Sequence, residues 1–161
     1  MEYTIRHAEL PDLDEIYTIE KACFDEGDVF VEQVFHYFLI RPKKEIFMVA
    51  TTGKKILGFI IVQPKSLTQY TIVTIDVLPA WQRKGIGKSL MLEIEKEIIT
   101  NTGKIKTKTI SEVRIELVVF EKNIAAKNLY EKLGYEKTRT IKNYYSKNRN
   151  GIEMIKKIPI K

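Results

Sequence analysis

The sequence predicts a mixed α/β fold in which helices pack on one β-sheet. Short segments with alternating apolar residues are typical of half-buried strands, and other segments carry apolar residues every three or four positions, as amphipathic helices do. One apolar strand-like run, TIVTIDV, passes through a glycine-containing loop into a helical run. Along the chain the elements follow the order β-α-α-β-β-β-α-β-α-β-β, and we expect residues 1–161 to form a single domain.

The first half of the chain is predicted to contain a strand, two helices and three further strands. These segments are residues 3–7, 11–23, 31–39, 45–51, 56–63 and 70–77. Pro11 suits the first turn of the first helix, and Pro42 follows the second helix, where a proline cannot continue it. Gly53 lies between two strand-like runs and indicates a hairpin turn, and the acidic residues 25–28 indicate a loop.

The second half is predicted to contain a helix, a strand, a helix and two strands. These segments are residues 86–100, 113–120, 125–133, 135–141 and 152–160. Residues 101–111, NTGKIKTKTIS, are polar and basic without a core pattern, which predicts a mobile loop. Residues 142–151, KNYYSKNRNG, are predicted to be a turn region between the last two strands.

Composition excludes several classes of protein. The 161 residues are 44% hydrophobic and 30% charged, as in globular chains, and no apolar run approaches the ~20 residues that span a membrane. Cys23 is the single cysteine, which excludes an internal disulfide and suits the reducing cytoplasm, and no secretion signal is visible. Two histidines and one cysteine give little support for a metal site, so none is expected.

Charge is distributed unevenly along the chain. Residues 132–161 hold nine Lys/Arg and two Glu, whereas residues 9–32 hold nine Asp/Glu and one Lys. The basic residues are not interleaved with stacking aromatics along one predicted element, which favours solvated strand edges over a nucleic-acid partner. The acidic stretch, residues 9–32, has two interpretations. It attracts a cationic amine, or it is the solvent-exposed face of a helix.

Residues 77–89, VLPAWQRKGIGKS, join a strand to a helix and indicate an anion-binding loop. A helix N-terminus exposes unpaired N–H groups and positive potential, and glycine lets an anion approach them. A Walker A loop needs glycine at position 82, and a dinucleotide fingerprint needs one at position 90; Gln82 and Leu90 occupy these positions. The pattern V-x-P-x-x-Q-x-x-G-x-G is complete, with Val77, Pro79, Gln82, Gly85 and Gly87. A glycine-containing turn without a ligand is the alternative.

A second motif, N-x-x-A-x-x-L-Y-x-x-x-G-Y, spans residues 123–135. Asn123 suits a helix N-cap and Gly134 suits the left-handed end of a helix. Ala126 and Tyr130 lie one helical turn apart, so the small residue leaves room beside the phenol. Each of these residues also has a purely structural interpretation. These interpretations are a helix cap for Asn123, a spacer for Ala126, a helix stop for Gly134 and a core aromatic for Tyr130.

Together the two motifs resemble the signature of the GNAT acetyltransferases, which bind acetyl-CoA and release CoA, and the resemblance covers about residues 3–158. Within that family the chain resembles the RimI type, which acetylates protein N-termini. Residues 19–24, IEKACF, are similar to part of the first helix of that type, and residues 142–145, KNYY, are similar to a turn that covers the acceptor peptide.

The resemblance implies a role for each matching residue. The cofactor-binding residues it implies are Ile75, Asp76, Val77, Gln82, Arg83, Lys84, Gly85, Ile86, Gly87, Lys88, Asn123 and Tyr130. Tyr130 is also implied as the acid that protonates the departing thiolate. The acceptor-binding residues proposed are Glu20, Glu26, Tyr144 and Tyr145.

Acetyl transfer also needs a neutral amine, and here the sequence departs from the family pattern. The position five residues before Asn123, often Glu or His in this type, is Val118. Glu116, two residues earlier on the same strand face, is the first candidate for the base, with Asp76, Glu20 and Glu26 as alternatives acting through ordered water.

The leading hypothesis is acetylation of a protein or peptide N-terminus, for example that of a ribosomal protein. An α-amine has a reference pKa near 8, against ~10.4 for lysine, so it loses its proton more easily. A GNAT enzyme acting on a polyamine or another small amine, and a CoA-binding regulatory or nucleic-acid-associated module without turnover, are the alternatives. The acceptor's identity, the base and the oligomeric state are left open by the sequence.

Overall fold

The computed structural model describes residues 2–41, 45–105 and 110–161, and it confirms the predicted order of elements. The strands are β1 Thr4–His7, β2 Ile46–Thr52, β3 Lys55–Pro64, β4 Gln69–Val77, β5 Glu112–Phe120, β6 Glu136–Ser146 and β7 Arg149–Pro159. The helices are α1 Leu13–Cys23, α2 Glu32–Leu39, α3 Ile86–Gly103 and α4 Ile124–Lys132, with short 3-10 helices at Leu10–Asp12 and Pro79–Trp81. The strands form one mixed sheet in the order β1-β2-β3-β4-β5-β7-β6.

The described chain divides into two compact units. Unit 1 comprises residues up to Gln63 together with Val73–Glu97, and unit 2 comprises Pro64–Ile72 and Ile98–Lys161. Strand β4 and helix α3 therefore contribute residues to both units.

In unit 1 the apolar sides of α1 and α2 pack against the hairpin of β2 and β3. Ile16, Ile19 and Phe35 are buried there, and the rings of Phe35 and Phe59 meet edge to face at 5.6 Å. The hairpin turn contains Gly53 with φ +57°, as the sequence predicted. Close packing of this kind supplies most of the stabilisation of short helices, which are marginal on their own.

Gly58 on β3 fixes how closely the end of β4 approaches. A Cβ at Gly58 would lie 2.6 Å from the main-chain oxygen of Asp76, so no larger residue fits without moving backbone. The N–H of Leu78 donates to Leu57 O at 2.9 Å and extends this contact past the end of β4. The end of β4 is thereby held where the glycine-containing loop begins.

In unit 2 the antiparallel strands β5, β7 and β6 lie side by side in that order, and β5 buries one of its two sides. Along β5 every second residue is buried, namely Val113, Ile115, Leu117 and Val119. The start of β4 pairs parallel with β5 through Gln69↔Arg114, Tyr70↔Ile115 and Thr71↔Glu116. The residues of β4 from 72 to 77 lie beyond the pairs of this ladder.

The predicted loop at 101–111 is wrong for its first three residues, which continue α3 to Gly103. Thr102 is 2% exposed, and its hydroxyl lies 3.5 Å from that of Tyr70. A polar side chain therefore serves as a core residue here because it has a hydroxyl partner, which an apolar-periodicity argument does not detect. The rest of the predicted loop includes residues 106–109, which lie outside the described residues.

The predicted turn at 142–151 is also mostly wrong, because β6 continues to Ser146 and β7 begins at Arg149. Asn143 has φ +55°, the pairing shifts between Ile141 and Ser146, and Asn150 Oδ1 accepts the Asn143 N–H at 2.9 Å. The sequence of this segment predicts a turn because β6 is an exposed edge strand with an irregularity. Polar residues and asparagine are common at such positions, as they are in turns.

The described residues lack two features that mark other classes of protein. None of their helices combines the length and the hydropathy needed to cross a bilayer. The same residues contain no group of three or more His, Cys, Asp or Glu side chains placed to hold a metal ion.

Candidate active site

The loop from β4 to α3 presents a row of unpaired main-chain donors. Arg83 and Gly85 have positive φ angles of 60° and 85°, which turn the chain sharply before α3. The Ser89 N–H donates to Gly85 O at 3.0 Å and begins the helical bonding. Within the described part of the chain, the N–H groups of residues 83–88 have no hydrogen-bond acceptor. A helix N-terminus with free donors is an anion-binding site.

The side chains around this loop add positive charge. Arg83, Lys84 and Lys88 have no acidic partner among the residues described, and the Lys84 ammonium lies 4.7 Å from the centre of the Trp81 ring. A Cβ added at Gly85 would meet nothing within 4 Å, so the space over the donors is open. Open space, free donors and unpaired cations together fit a diphosphate.

Gln82 and Val77, both implied cofactor residues, contact each other across this loop. The Gln82 side-chain amide donates to Val77 O at 3.0 Å, and the Cys23 thiol donates to the same oxygen at 3.3 Å. The carbonyl of Val77 is thus already satisfied twice. These bonds tie the end of β4 to α1 and to the start of the loop.

Two acidic side chains of unit 1, Glu20 and Asp76, meet in the protein interior. Glu20 is 0% exposed and Asp76 is 4% exposed. Glu20 Oε1 accepts the N–H of Phe30 at 2.9 Å, and the Thr74 hydroxyl donates to Asp76 Oδ2 at 3.1 Å. Burial raises the pKa of Glu20, and burial followed by the charge of Glu20 raises the pKa of Asp76 well above its usual value.

Cys23 borders this carboxyl pair. Burial, and next the negative charges of Asp76 and Glu20, raise the pKa of its thiol to about 12. The protonated thiol donates its hydrogen bond to Val77 O, which fits the structural role expected for a lone cysteine. A thiol with so high a pKa is a poor nucleophile at neutral pH.

In unit 2 the second motif forms the helix that its residues predicted. Asn123 caps α4, and its Oδ1 accepts the Ala126 N–H at 3.1 Å. Gly134 ends the helix with φ +90°. Tyr130 is 7% exposed, and its ring packs 6.1 Å from the ring of Tyr135.

Glu116, the first candidate for the base, has partners on neighbouring residues. The Thr71 hydroxyl donates to Glu116 Oε1 at 3.0 Å, and an Arg114 nitrogen lies 3.5 Å from Oε2. Both carboxylate oxygens of Glu116 are therefore engaged. Its role as base stays a prediction.

The four predicted acceptor residues have different surroundings. Glu20 is buried, as described above, whereas Glu26 is exposed in the turn between α1 and α2. On β6 the Tyr145 hydroxyl donates to Val118 O at 3.2 Å, while Tyr144 is 51% exposed and its ring lies 4.9 Å from that of Tyr145. Tyr144 is thus accessible, and Tyr145 ties β6 to β5.

Comparison with known proteins decides the family. Residues 43–137, more than half of the chain, match the family model described as "Acetyltransferase (GNAT) domain". This chain is a GNAT acetyltransferase. It is therefore an acyltransferase, and acetyl-CoA, the acetyl donor of GNAT enzymes, is its cofactor.

Relatives of this GNAT acetyltransferase match it over almost its whole length. The N-alpha-acetyltransferases of Sulfurisphaera tokodaii and Saccharolobus solfataricus are each 28% identical to it, over 90% of this chain and 87% of theirs. The crystal structure of the ribosomal-protein-S18-alanine N-acetyltransferase from Escherichia coli is 26% identical and superposes with a TM-score of 0.81, over 99% of this chain and 94% of that one.

The sequence did not predict that Glu20 and Asp76 meet. It placed Glu20 with the acceptor and the main chain of Asp76 with the cofactor. One signal was available, because along β4 the buried positions are Ile72, Thr74 and Asp76, so alternation puts the aspartate in a buried phase. A buried carboxyl requires a partner, and the pattern does not say which one.

Proposed function

We propose that this GNAT acetyltransferase moves an acetyl group from acetyl-CoA to the α-amine of a protein N-terminus, by direct attack while both substrates are bound. One observation carries the choice of acceptor. Curated relatives that share 26–28% identity over about nine-tenths of this chain are N-alpha-acetyltransferases. The N-terminus of a ribosomal protein is one acceptor that the similarity to the Escherichia coli enzyme suggests.

The free N–H donors of the loop support the proposal that this loop binds the diphosphate of acetyl-CoA. When bound, acetyl-CoA supplies the activated acetyl thioester. The N–H groups of residues 83–88 would hold its diphosphate, and Arg83, Lys84 and Lys88 would offset the negative charge. The amide NH2 group of Asn123 is left for the cofactor arm, because the side-chain oxygen caps α4.

The end of β4 is proposed to take the rest of the cofactor arm. The main-chain oxygen of Asp76 lies against Gly58 of β3. Main-chain groups alternate in direction along a strand, so those of Ile75 and Val77 lie on the opposite edge. Because Val77 O already accepts two bonds, the main chain of Ile75 and the N–H of Val77 are the groups available for pairing, and the N–H also suits a developing oxyanion.

Two proton transfers complete the proposed reaction. The amine must lose a proton before it attacks, and Glu116 is the proposed acceptor of that proton. The Tyr130 hydroxyl is proposed to donate a proton to the departing sulfur. An α-amine, with a reference pKa near 8, needs less help than a lysine amine at ~10.4.

Acidic and aromatic side chains are proposed to bind the acceptor. The exposed carboxylate of Glu26 lies within the acidic stretch 9–32, which would attract an ammonium group. Tyr144, half exposed on β6, offers a hydroxyl and a ring face to a peptide backbone. We further propose that residues 1–161 work as one domain in the cytoplasm.

The test is a comparison of amines that differ at one group. Free-thiol release from acetyl-CoA is measured with a peptide that has a free α-amine and an internal lysine. It is measured again with the same peptide formylated at its N-terminus, in which the lysine is the remaining amine, and with spermidine. We expect turnover with the first peptide alone. Faster turnover with spermidine would identify a polyamine enzyme instead, whereas no thiol release over a broad amine panel would favour a CoA-binding module, to be examined by salt-dependent DNA binding.

A further inference from the structure

Glu20 connects three parts of unit 1. It lies near the end of α1, and its Oε1 accepts the main-chain N–H of Phe30 at 2.9 Å. Phe30 belongs to the α1–α2 segment, which we define as residues 24–31 between the two helices. One buried carboxylate oxygen therefore holds the far end of this segment against α1.

The second oxygen of Glu20 requires a donor that Asp76 can supply. Glu20 Oε2 is buried and has no hydrogen-bond partner among the described residues. Asp76 lies beside it, and a proton on the Asp76 carboxyl can be donated to Glu20. Two ionised carboxylates cannot lie side by side in a buried site without a large cost, so sharing one proton satisfies both the charge and the open oxygen.

We propose that Glu20 and Asp76 hold one proton between them and act as a positioning pair, which fastens the α1–α2 segment to the end of β4 and so holds one wall of the acceptor site in place. The proposal rests on the proposed function in one respect, namely that the segment, with Glu26 on it, lines the acceptor site. Neither carboxyl is placed in contact with the reacting atoms. Their effect passes through the Phe30 N–H and the β4 main chain.

The charges around the pair set the direction of its pH dependence. No lysine, arginine or histidine of the described residues contributes to the pKa of either carboxyl. Cys23, whose pKa the same carboxyls raise, is protonated near neutral pH, and Asp25, Glu26 and Asp28 add only negative charge along the segment. A second negative charge on the pair would thus be uncompensated.

The direction follows from linkage. A carboxyl whose pKa is raised by folding stabilises the folded state at low pH, and that stabilisation is lost as the pH rises through the folded pKa. Loss of the shared proton therefore loosens the α1–α2 segment as the pH rises through the pKa of the pair. Acceptor binding should weaken, while the diphosphate-binding loop, which has no part in the pair, should keep its affinity.

Asp76→Asn provides a matched test. The amide has the size of the carboxyl, donates a hydrogen bond to an ionised Glu20, and does not titrate. In the native chain we expect KM for the acceptor peptide to rise by up to about tenfold per pH unit above the pKa of the pair, and the acetyl-CoA dissociation constant to stay constant. In Asp76→Asn the rise in KM should be absent. Glu93→Gln, which removes an exposed carboxylate from α3, should behave as the native chain does.

Amide hydrogen exchange tests the pair without any turnover. In the native chain, protection of the Phe30 N–H should fall as the pH rises through the pKa of the pair. In Asp76→Asn it should stay constant, after correction for the intrinsic exchange rate. Asp76→Ala, which removes the donor, should lower this protection at every pH. The same pH-dependent loss of protection in Asp76→Asn as in the native chain, or full protection in Asp76→Ala, would overturn the proposal. Because the exchange experiment uses no acceptor, its result stands even if no amine is acetylated.

Discussion

Gln82 illustrates what one residue of the family motif does before any ligand is bound. Its side-chain amide donates to Val77 O and so joins the end of β4 to the loop that precedes α3. Gln82 therefore has a structural role within unit 1, in addition to the cofactor contact that the family resemblance implies. The bond joins Gln82 to Val77, the first residue of the motif, five positions earlier.

Tyr130→Phe should slow acetyl transfer by about 10²–10⁴-fold while acetyl-CoA binding stays nearly unchanged, since general acid catalysis contributes on that scale. The ring is buried against Tyr135, so phenylalanine keeps the packing and removes only the hydroxyl. Single-turnover rates and cofactor titration measure the two effects separately. Tyr37→Phe, at an exposed tyrosine of α2, is the matched control. A Tyr130→Phe rate equal to the native one would refute the role of acid.

Cys23 should resist alkylation in the folded protein. With a pKa of about 12, the thiolate fraction at pH 8 is about a thousandfold lower than for a thiol of pKa 9. Iodoacetamide should therefore modify Cys23 very slowly at pH 8 in buffer and rapidly in denaturant, as followed by mass spectrometry. Equal rates in buffer and denaturant would show that Cys23 is not held as described.

Helix α3 sets the direction of the free main-chain N–H groups in the loop that precedes it. Its N-terminus starts at the glycine-containing turn, and its buried residues Ile86, Leu90, Ile94 and Ile98 recur once per turn along one side. Burial of that side fixes the direction of the helix axis, and hence the direction in which the free N–H groups point.

Gly87→Glu should abolish acetyl-CoA binding because it puts bulk and negative charge in the first turn of α3. We expect a loss of affinity on the order of 100-fold or more, since charge-assisted hydrogen bonds contribute about 1.5–3 kcal/mol each. Isothermal titration measures it. Gly103→Glu is the matched control, because Gly103 ends the same helix and a Cβ there meets nothing within 4 Å. Native affinity in Gly87→Glu would discredit the loop as the diphosphate site.

At the scale of the whole molecule, charges of opposite sign are concentrated in two separate stretches of the chain. The acidic stretch 9–32 lies in unit 1, and the basic stretch 132–161 lies in unit 2 on α4, β6 and β7. Three of the nine Lys/Arg of the basic stretch, namely Lys137, Arg139 and Lys142, are exposed on the edge strand β6, where such charges discourage pairing with other chains. The net charge of +6 is therefore a poor guide to the partner of the protein.

Acetyl-CoA should raise the melting temperature of the full chain in a concentration-dependent way. Binding to the native state alone adds about 2.7 kcal/mol at a concentration 100 times the dissociation constant, which corresponds to about 5–10 °C for a chain of this size. Differential scanning fluorimetry measures the shift. Gly87→Glu, which loses the site, should melt at one temperature with and without the cofactor. If the melting temperature of the native chain did not change with acetyl-CoA concentration, the assignment of the loop as the cofactor site would be contradicted.

Much of the fold was predictable because its signals are local. Asn123 and Gly134 bound α4 through bonds and angles within a few residues, and Gly53 marks a hairpin turn for the same reason. The end of α3 and the last hairpin were predicted wrongly. Thr102 and Asn143 are placed by partners elsewhere in the chain, Tyr70 and Asn150, and local polarity suggested loops.

The sequence by itself determined the order of the elements, the glycine-containing loop after β4 and the membership in the family, because each depends on residue types at short, fixed spacings. The tertiary structure alone decided that Glu20 faces Asp76, that Tyr145 binds Val118 O and that Glu116 is held by Thr71 and Arg114. Those contacts join residues on different helices and strands. A side chain's burial and its partner exist only once the elements have packed, and both govern its charge.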